Sequence, residues 1–228
     1  MNEFEKLRDM LQIAHSKLFY VYGYFVIQES LQKLRAPNII GKDKAKKNTK
    51  IMNNYNNFFV PVENSLRITY LIELTKFFDF DKDAVSISKI INYARSNMNK
   101  LTVREFEYYN KNRKYLSELI KDYDGITNDF LKDCERRLLE KGVDIQNKCI
   151  VSDSCIYRLN RLRNQSLAHE QFVKDLDKIS VKEIKELFEM VAEIINGISK
   201  LLNHEETWHD HESDIIKDEV ELLIEKLE

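Results

Sequence analysis

The chain has 228 residues, of which 43% are hydrophobic, so it is long enough to bury the core of one large domain or two small ones. Its 36 basic and 38 acidic residues nearly balance, which gives no overall electrostatic argument for a nucleic-acid or membrane-surface protein. The three cysteines, Cys134, Cys149 and Cys155, form no Cys-x-x-Cys pair, which argues against a disulfide framework and favours reduced thiols in a reducing compartment.

Neither an export signal nor a membrane span is expected. The segment Met1 to Asp9 is charged and lacks the apolar stretch of a signal peptide. The most apolar run, Leu18 to Ile27, is well short of the roughly 20 residues that cross a bilayer. The sequence therefore predicts a cytoplasmic protein.

Only 5 glycines and 2 prolines occur in the chain, which leaves few of the tight turns that sheet proteins need and predicts an all-α fold. A long first helix is expected to end near Ala36-Pro37, because proline disfavours helix at the residue before it. Its apolar stripe recurs at steps of three and four: Phe4, Leu7, Leu11, Ala14, Leu18, Val21 and Phe25.

The next segment is rich in basic residues and contains Pro37 and Gly41, so the sequence predicts a basic loop. Either a solvated linker between helices or an arm that attracts phosphate fits this composition. The basic residues are Lys33, Arg35, Lys42, Lys44, Lys46, Lys47 and Lys50.

Helical patterning resumes at Ile51 and continues to Phe80, with Pro61 either starting the second half or kinking the helix. A shorter helix follows, with Ile87, Ile90, Ile91, Ala94 and Met98 on one side. Thr102-Val-Arg-Glu105 has the form of a capping box that opens another helix. Asp124-Gly125 is expected to break that helix, and Thr127 to Lys141 to continue it.

The segment Asp153 to His169 is predicted to be a helix capped by Asp153 or Ser152. A second capping box, Ser180-Val-Lys-Glu183, opens the helix with the most regular apolar pattern in the chain. That pattern consists of Val181, Ile184, Phe188, Val191, Ile195, Ile198 and Leu202.

The last segment, His204 to Glu228, contains 10 acidic residues against Lys217 and Lys226. Ile216, Val220, Leu223 and Leu227 repeat at helical spacing, which predicts an amphipathic acidic helix. We therefore expect a helical domain over residues 1–203 and an acidic C-terminal helix over 204–228, packed on the body or on a partner.

Arg163 is followed directly by Asn164, and His169 lies six positions after the arginine. This spacing resembles the R-x(4-6)-H motif of the HEPN family, in its Asn form. Upstream, the segment Leu74 to Asn92 reads LTKFFDFDKDAVSISKIIN and resembles the abortive-infection U-type branch of that family. The resemblance covers about residues 1 to 203 and implies a HEPN-like helical bundle.

The resemblance also implies an endoribonuclease that works as a homodimer without metal or other cofactor, in a toxin or an antiphage abortive-infection effector. The residue types fit this chemistry, because RNA supplies its own 2′-hydroxyl nucleophile. His169 would transfer protons, and Arg163 would hold the phosphate and offset its developing charge. Asn164 would orient the histidine or the substrate through a hydrogen bond.

The spacing of the motif carries a geometric condition. Six residues along an ideal helix amount to about 600° of rotation and roughly 9 Å of rise, so Arg163 and His169 meet only if the helix ends or bends before His169. Pairing of two copies across a dimer would remove this difficulty and supply one histidine as base and one as acid. The expected partners are therefore the RNA substrate and a second copy of the chain.

A regulatory partner or antitoxin is also possible on the resemblance. In some family members a nucleotidyltransferase antitoxin modifies a tyrosine two residues after the histidine. Here Glu170, Gln171 and Phe172 follow His169, so that mode of control is not expected.

Structural interpretations of the same residues stay open. Arg163 could pair with a carboxylate such as Glu170, and His169 could cap a helix C-terminus. Arg158 and Arg161 could contact the RNA backbone or form a solvated helix face. His204, His209 and His211 carry imidazoles of the kind that bind transition metals, but their spacing matches no established metal motif and equally fits an exposed polar connector. The three-tyrosine segment from Tyr20 to Tyr24 is more typical of core than of base stacking.

Two other functions also fit the sequence. The first alternative is a non-catalytic HEPN-like module that binds nucleotide, RNA or a protein partner. The second is a helical interaction protein whose acidic C-terminal helix provides the contact surface.

Overall fold

A computed structural model describes residues 2–81, 84–111, 125–168, 179–203 and 211–227. The all-α fold class predicted from the sequence is confirmed. The α-helices of the described residues are α1 Glu3–Lys33, α2 Pro37–Ile40, α3 Lys42–Asn54, α4 Asn56–Thr75, α5 Ile87–Ser96, α6 Val103–Asn110, α7 Asn128–Glu140, α8 Cys155–Ala168, α9 Val181–Asn203 and α10 His211–Lys226. A 3-10 helix, Lys76–Phe78, follows α4, and strands β1 Val143–Asp144 and β2 Cys149–Ile150 lie between α7 and α8.

The chain forms two compact units. Unit 1 contains Met1–Leu18 and Leu74–Trp208, and unit 2 contains Phe19–Glu73 and His209–Glu228. Within the described part of the chain, no helix combines the length and the apolar character needed to cross a membrane. The division predicted from the sequence, between residues 203 and 204, stays a prediction.

The core of unit 1 is built from the apolar faces that the helical spacing predicts. On α1 the whole predicted stripe is buried, from Phe4 to Phe25, although its last two members belong to unit 2. Helix α9 also buries its predicted stripe from Ile184 to Leu202, but Val181 is 44% exposed because it occupies the first position of the helix. Helix α5 contributes four fully buried residues, Ile87, Ile90, Ile91 and Ala94.

Capping side chains start several helices of unit 1. The hydroxyl of Thr102 accepts a hydrogen bond from the backbone N–H of Glu105, and Ser180 and Glu183 form a reciprocal capping box. The full box at Ser180 was expected from the sequence. At Thr102, where a full box was also expected, the hydrogen bonds of the described residues include the threonine half. At α8 the expectation was wrong by one residue, because the cap is Ser154, whose hydroxyl accepts from the N–H of Tyr157.

The hairpin of β1 and β2 was not predicted. Val143 pairs with Ile150 and Asp144 with Cys149, and the carbonyl of Gly142 accepts a further hydrogen bond from the N–H of Val151. Each strand has two residues, which is too short for an alternating pattern to be visible in the sequence. The hairpin leads directly into the N-terminus of α8.

Residues 42–54 form helix α3, so the basic loop predicted for Lys33 to Lys50 is wrong over most of its length. Ala45, Asn48, Ile51 and Met52 are buried on one side of α3, while its lysines point outward. Burial of this narrow apolar face stabilises the helix despite the run of like charges. The amide nitrogen of Asn48 donates to the carbonyl of Leu34, which satisfies the buried polar group.

The segment expected to be helical from Ile51 to Phe80 is interrupted at Tyr55, where α3 ends and α4 begins. Pro61 lies inside α4 rather than at its start. After Thr75 the chain tightens into the 3-10 helix, whose Phe77 and Phe78 are fully buried in unit 1.

In unit 2, α10 packs against α1 and α3. Val220 and Ile224 of α10 are buried in one cluster with Leu31, Met52 and Phe59. The predicted stripe of α10 needs one correction, because Leu223 is 44% exposed and Ile224 is buried in its place. Lys44 of α3 also forms an exposed ion pair with Glu221 of α10.

Candidate active site around Arg163

Helix α8 positions the arginine of the motif. Ile156 and Leu159 of α8 are fully buried and Leu162 is 4% exposed, so this face of the helix is fixed in the core of unit 1. Arg163 follows at the edge of the buried face, and Asn164 is exposed. The local sequence thus places a cation at the boundary between core and solvent.

Among the described residues, two hydrogen bonds hold the guanidinium of Arg163. Its Nη1 donates to Oδ2 of Asp79 over 3.0 Å, and its Nε donates to Oδ1 of Asn164 over a longer 3.4 Å. The side chains of Arg163 and Asp79 are 23% and 32% exposed, so the pair is partly shielded from water. A shielded, hydrogen-bonded pair of this kind orders a long side chain better than a fully exposed ion pair does.

Asp79 is itself fixed at the end of the 3-10 helix. The two residues before it, Phe77 and Phe78, are fully buried and anchor the backbone. Its Oδ1 accepts a hydrogen bond from the backbone N–H of Asp81 over 3.3 Å, while its Oδ2 faces Arg163. The ammonium of Lys17, on α1, lies 4.6 Å from the centre of the ring of Phe77 in this 3-10 helix.

Asp79 is not among the site residues predicted from the sequence. The segment Leu74 to Asn92 contributed to the family resemblance, but its acids could not be told apart by pattern. A carboxylate directly after two buried phenylalanines is the available signal, because such a residue has a fixed backbone and a side chain at the edge of the core.

His169 lies outside the described residues, as do Glu170, Gln171 and Phe172. Helix α8 is described through Ala168. The convergence of Arg163 and His169 on one phosphate therefore stays a prediction, and so does the alternative pairing of Arg163 with Glu170.

Arg158 is paired within the protein. Its Nη2 donates to Oε1 of Glu183 over 2.5 Å, and this contact links α8 to the capping box of α9. Burial acts to raise the pKa of Glu183, but hydrogen bonds from Ser180 and Arg158 outweigh it and hold the pKa below its ordinary value. Arg161 is exposed on the same helix. A contact of either arginine with RNA stays a prediction.

Two further polar groups of α8 were missed by sequence reasoning. Oδ1 of Asn160 is buried and has no hydrogen-bond partner among the described residues. Asn160 lies one helical turn before Arg163 and Asn164, so the three share one side of α8. Cys155 begins the same helix, and burial raises the pKa of its thiol to about 11, which keeps it protonated and a poor nucleophile.

The described residues contain no group of three or more histidine, cysteine, aspartate or glutamate side chains suited to a metal ion. Of the histidine cluster considered from the sequence, His204 and His209 and the side chain of His211 lie outside the described residues.

The chain matches a known protein family over most of its length. The family model for AbiU2, a HEPN family, matches residues 2–222 and so includes Asp79, Arg163, Asn164 and His169. The match extends well into α10, beyond the expected limit of the resemblance at residue 203. No curated protein and no solved structure matches the chain.

Proposed function

Because the chain belongs to the AbiU2 family of HEPN domains, we propose that it is a metal-independent endoribonuclease that acts as a homodimer. Its biological setting would be that of a toxin or an antiphage abortive-infection effector. The observation that carries the proposal is the partly exposed guanidinium of Arg163, which is hydrogen-bonded to Asp79 and Asn164 at the edge of the core.

The proposed reaction uses the 2′-hydroxyl of RNA as the nucleophile. A base removes the 2′-hydroxyl proton, the 2′-oxygen forms a bond to phosphorus, and the bond from phosphorus to the 5′-oxygen breaks. An acid donates a proton to the departing 5′-oxygen. The products are a 2′,3′-cyclic phosphate and a 5′-hydroxyl, and no water or metal-bound hydroxide takes part in this step.

Each residue of the motif has its own role in this reaction. The cationic guanidinium of Arg163 is a planar fork that matches two oxygens of a phosphate, so it offsets the charge that develops on the phosphorane. His169 acts as base or acid, since an unperturbed imidazole titrates near neutral pH. Asn164 supports the arginine through its Oδ1. Two subunits supply the two histidines that the reaction needs.

Cleavage in the presence of EDTA tests this proposal. Purified full-length protein is incubated with single-stranded RNA and with DNA of the same sequence. RNA should be cut and DNA should not, and His169→Ala should lose the cutting while keeping its helical circular dichroism. His209→Ala, which removes a histidine outside the motif, is the matched control and should cut like wild type. No cutting by wild type, or full cutting by His169→Ala, would contradict the proposal.

The dimer is tested separately by light scattering of the purified protein. The chain has a mass of 27.2 kDa, so the proposal expects a particle of twice that mass at assay concentrations. A strict monomer that cuts RNA would remove the second histidine from the mechanism.

One observation favours a second candidate. The ion pair of Arg163 and Asp79 also links α8 to the chain after the 3-10 helix. Such a link stabilises the fold, and a non-catalytic HEPN-like module would need it as well. Such a module would bind nucleotide, RNA or a protein partner without cutting. The His169→Ala comparison separates the two, because only the nuclease depends on that imidazole.

A further inference from the structure

We propose that Asp79 is the positioning residue of the nuclease site, acting through Arg163. This inference rests on the proposed function and deepens it by one residue that the motif does not contain. Asp79 would not touch the RNA. It would hold the guanidinium in the orientation in which its remaining N–H groups meet the phosphate.

The hydrogen bonds of the carboxylate give it a defined direction. Oδ1 of Asp79 is occupied by the N–H of Asp81, and Oδ2 accepts from Nη1 of Arg163. The backbone of Asp79 is extended and follows the buried Phe77 and Phe78. The acceptor that faces Arg163 is therefore fixed by the core and by a backbone hydrogen bond, which is the arrangement expected of a supporting residue.

Some N–H donors of Arg163 bind protein groups, and the others would bind the phosphate of the RNA. The hydrogen bonds to Asp79 and Asn164 engage Nη1 and Nε, and neither engages Nη2. A guanidinium has five N–H donors in a rigid plane, so fixing two nitrogens fixes the direction of the third. The side chain is 23% exposed, which leaves part of the fork accessible to a phosphate.

Another arginine of unit 1, Arg136, is an example of ordinary surface pairing. Arg136 is held by Asp133 and Glu140 of its own helix α7, and its side chain is 60% exposed. Such local surface pairs contribute little energy and little order. Arg163 is instead paired with an acid 84 positions away in the chain. The Asp133 pair therefore provides a matched control for loss of an aspartate–arginine contact.

The test measures RNA cleavage by Asp79→Ala, Asp79→Asn and Asp133→Ala in EDTA, with kcat and KM determined separately. Asp79→Ala should lower kcat about 10- to 100-fold with a smaller change in KM, because a misplaced group acts mainly on the transition state. Asp79→Asn keeps an acceptor of the same shape and should lose less. Asp133→Ala should cut like wild type.

A double-mutant cycle shows whether Asp79 acts through Arg163. In the Arg163→Lys background the planar fork is already lost, so Asp79→Ala should lower kcat further by less than about 3-fold. A change of that size is on the order of the deviation from additivity found for independent sites. A purely structural role would give the same loss in both backgrounds. Thermal melting of each variant confirms that it is folded.

The outcomes are distinguishable. If wild type cuts RNA and Asp79→Ala cuts equally well, the positioning role is wrong while the nuclease stands. The same holds if the loss is equally large in the Arg163→Lys background, or if both Asp79 variants unfold. If wild type makes no cut, the proposed function fails and this inference fails with it.

Discussion

Nη1 of Arg163 donates a hydrogen bond to Oδ2 of Asp79 over 3.0 Å, so an arginine of α8 is paired with an acid 84 positions earlier in the chain. The two residues come from the two segments in which the sequence resembles HEPN proteins. Their contact gives those segments a common physical role, which is to hold one guanidinium at the edge of the core of unit 1.

The first prediction concerns the shape of the cation. Arg163→Lys keeps the positive charge but cannot contact Asp79 and a phosphate with one planar fork, so we expect kcat/KM for RNA to fall about 10²- to 10³-fold. The control is Arg136→Lys, because Arg136 is an exposed, ion-paired arginine of α7. This substitution should leave cleavage unchanged. Equal activity of wild type and Arg163→Lys would mean that a point charge suffices.

The second prediction concerns pH and stability. Nε2 of His15 lies 2.9 Å from the hydroxyl of Ser199, and burial lowers the pKa of His15 from 6.5 to about 4. The folded state therefore favours the neutral ring, so this stability is present above about pH 6.5 and is lost as the pH falls towards 4. Because the ring is only partly buried, we expect a loss on the order of 1–2 kcal/mol.

Urea titrations at pH 7 and pH 4 check this prediction against His15→Gln, which keeps a side chain able to hydrogen-bond with Ser199 but does not titrate. The variant should lose less stability between the two pH values than wild type does. If both proteins lose the same free energy of unfolding, His15 does not contribute to acid sensitivity.

The third prediction concerns the turn that precedes the hairpin. Gly142 has a φ of +98°, and a Cβ there would overlap the Cβ and Oγ of Ser154, the cap of α8. Gly41 has a φ of +85° with open space around it, so it isolates the backbone strain alone. Gly41 combines φ +85° with ψ +155°, a region that essentially only glycine adopts, so Gly41→Ala should cost about 1–3 kcal/mol. Gly142→Ala should cost on the order of 1–3 kcal/mol more, because its Cβ also overlaps Ser154. Urea unfolding measures both, and equal costs would show that Ser154 moves aside freely.

The fourth prediction concerns the attachment of α10 within unit 2. Ile224 is 2% exposed in the cluster with Leu31 and Met52, whereas the neighbouring Leu223 is 44% exposed. Ile224→Ala should lower the free energy of unfolding by about 2–4 kcal/mol because it leaves a cavity. Leu223→Ala should change it by less than about 0.5 kcal/mol. A larger effect at Leu223 would reverse the assignment of the buried face.

Features that depend on neighbours along the chain could be predicted from the sequence. The capping hydroxyl of Thr102 and the capping box at Ser180 involve residues three apart, and the structure confirms both. The stripe of α1 repeats over many turns, and its burial is confirmed as well. At α10 three apolar residues in a row, 222–224, left the buried face ambiguous by one position. The structure resolves it through packing with α3, which the local pattern does not contain.

The remaining features depend on contacts between distant segments. Helix α3 reads as a loop because of its lysines and Gly41, and only the burial of Ala45, Ile51 and Met52 reveals the helix. In the same way, the motif identified Arg163 and Asn164 but not Asp79, since a pairing across 84 positions leaves no trace in spacing. Arg163 was predicted as a functional residue from the sequence. Its partner Asp79 could be identified only from the structure.

Analysis of the product ends tests the central claim most directly. RNA cut by wild-type protein in EDTA is digested and examined by mass spectrometry, with His169→Ala as the inactive control. Attack by the 2′-hydroxyl, assisted by Arg163 and His169, should leave 2′,3′-cyclic phosphate and 5′-hydroxyl ends. Ends with 3′-hydroxyl and 5′-phosphate would require attack by water and would contradict the account.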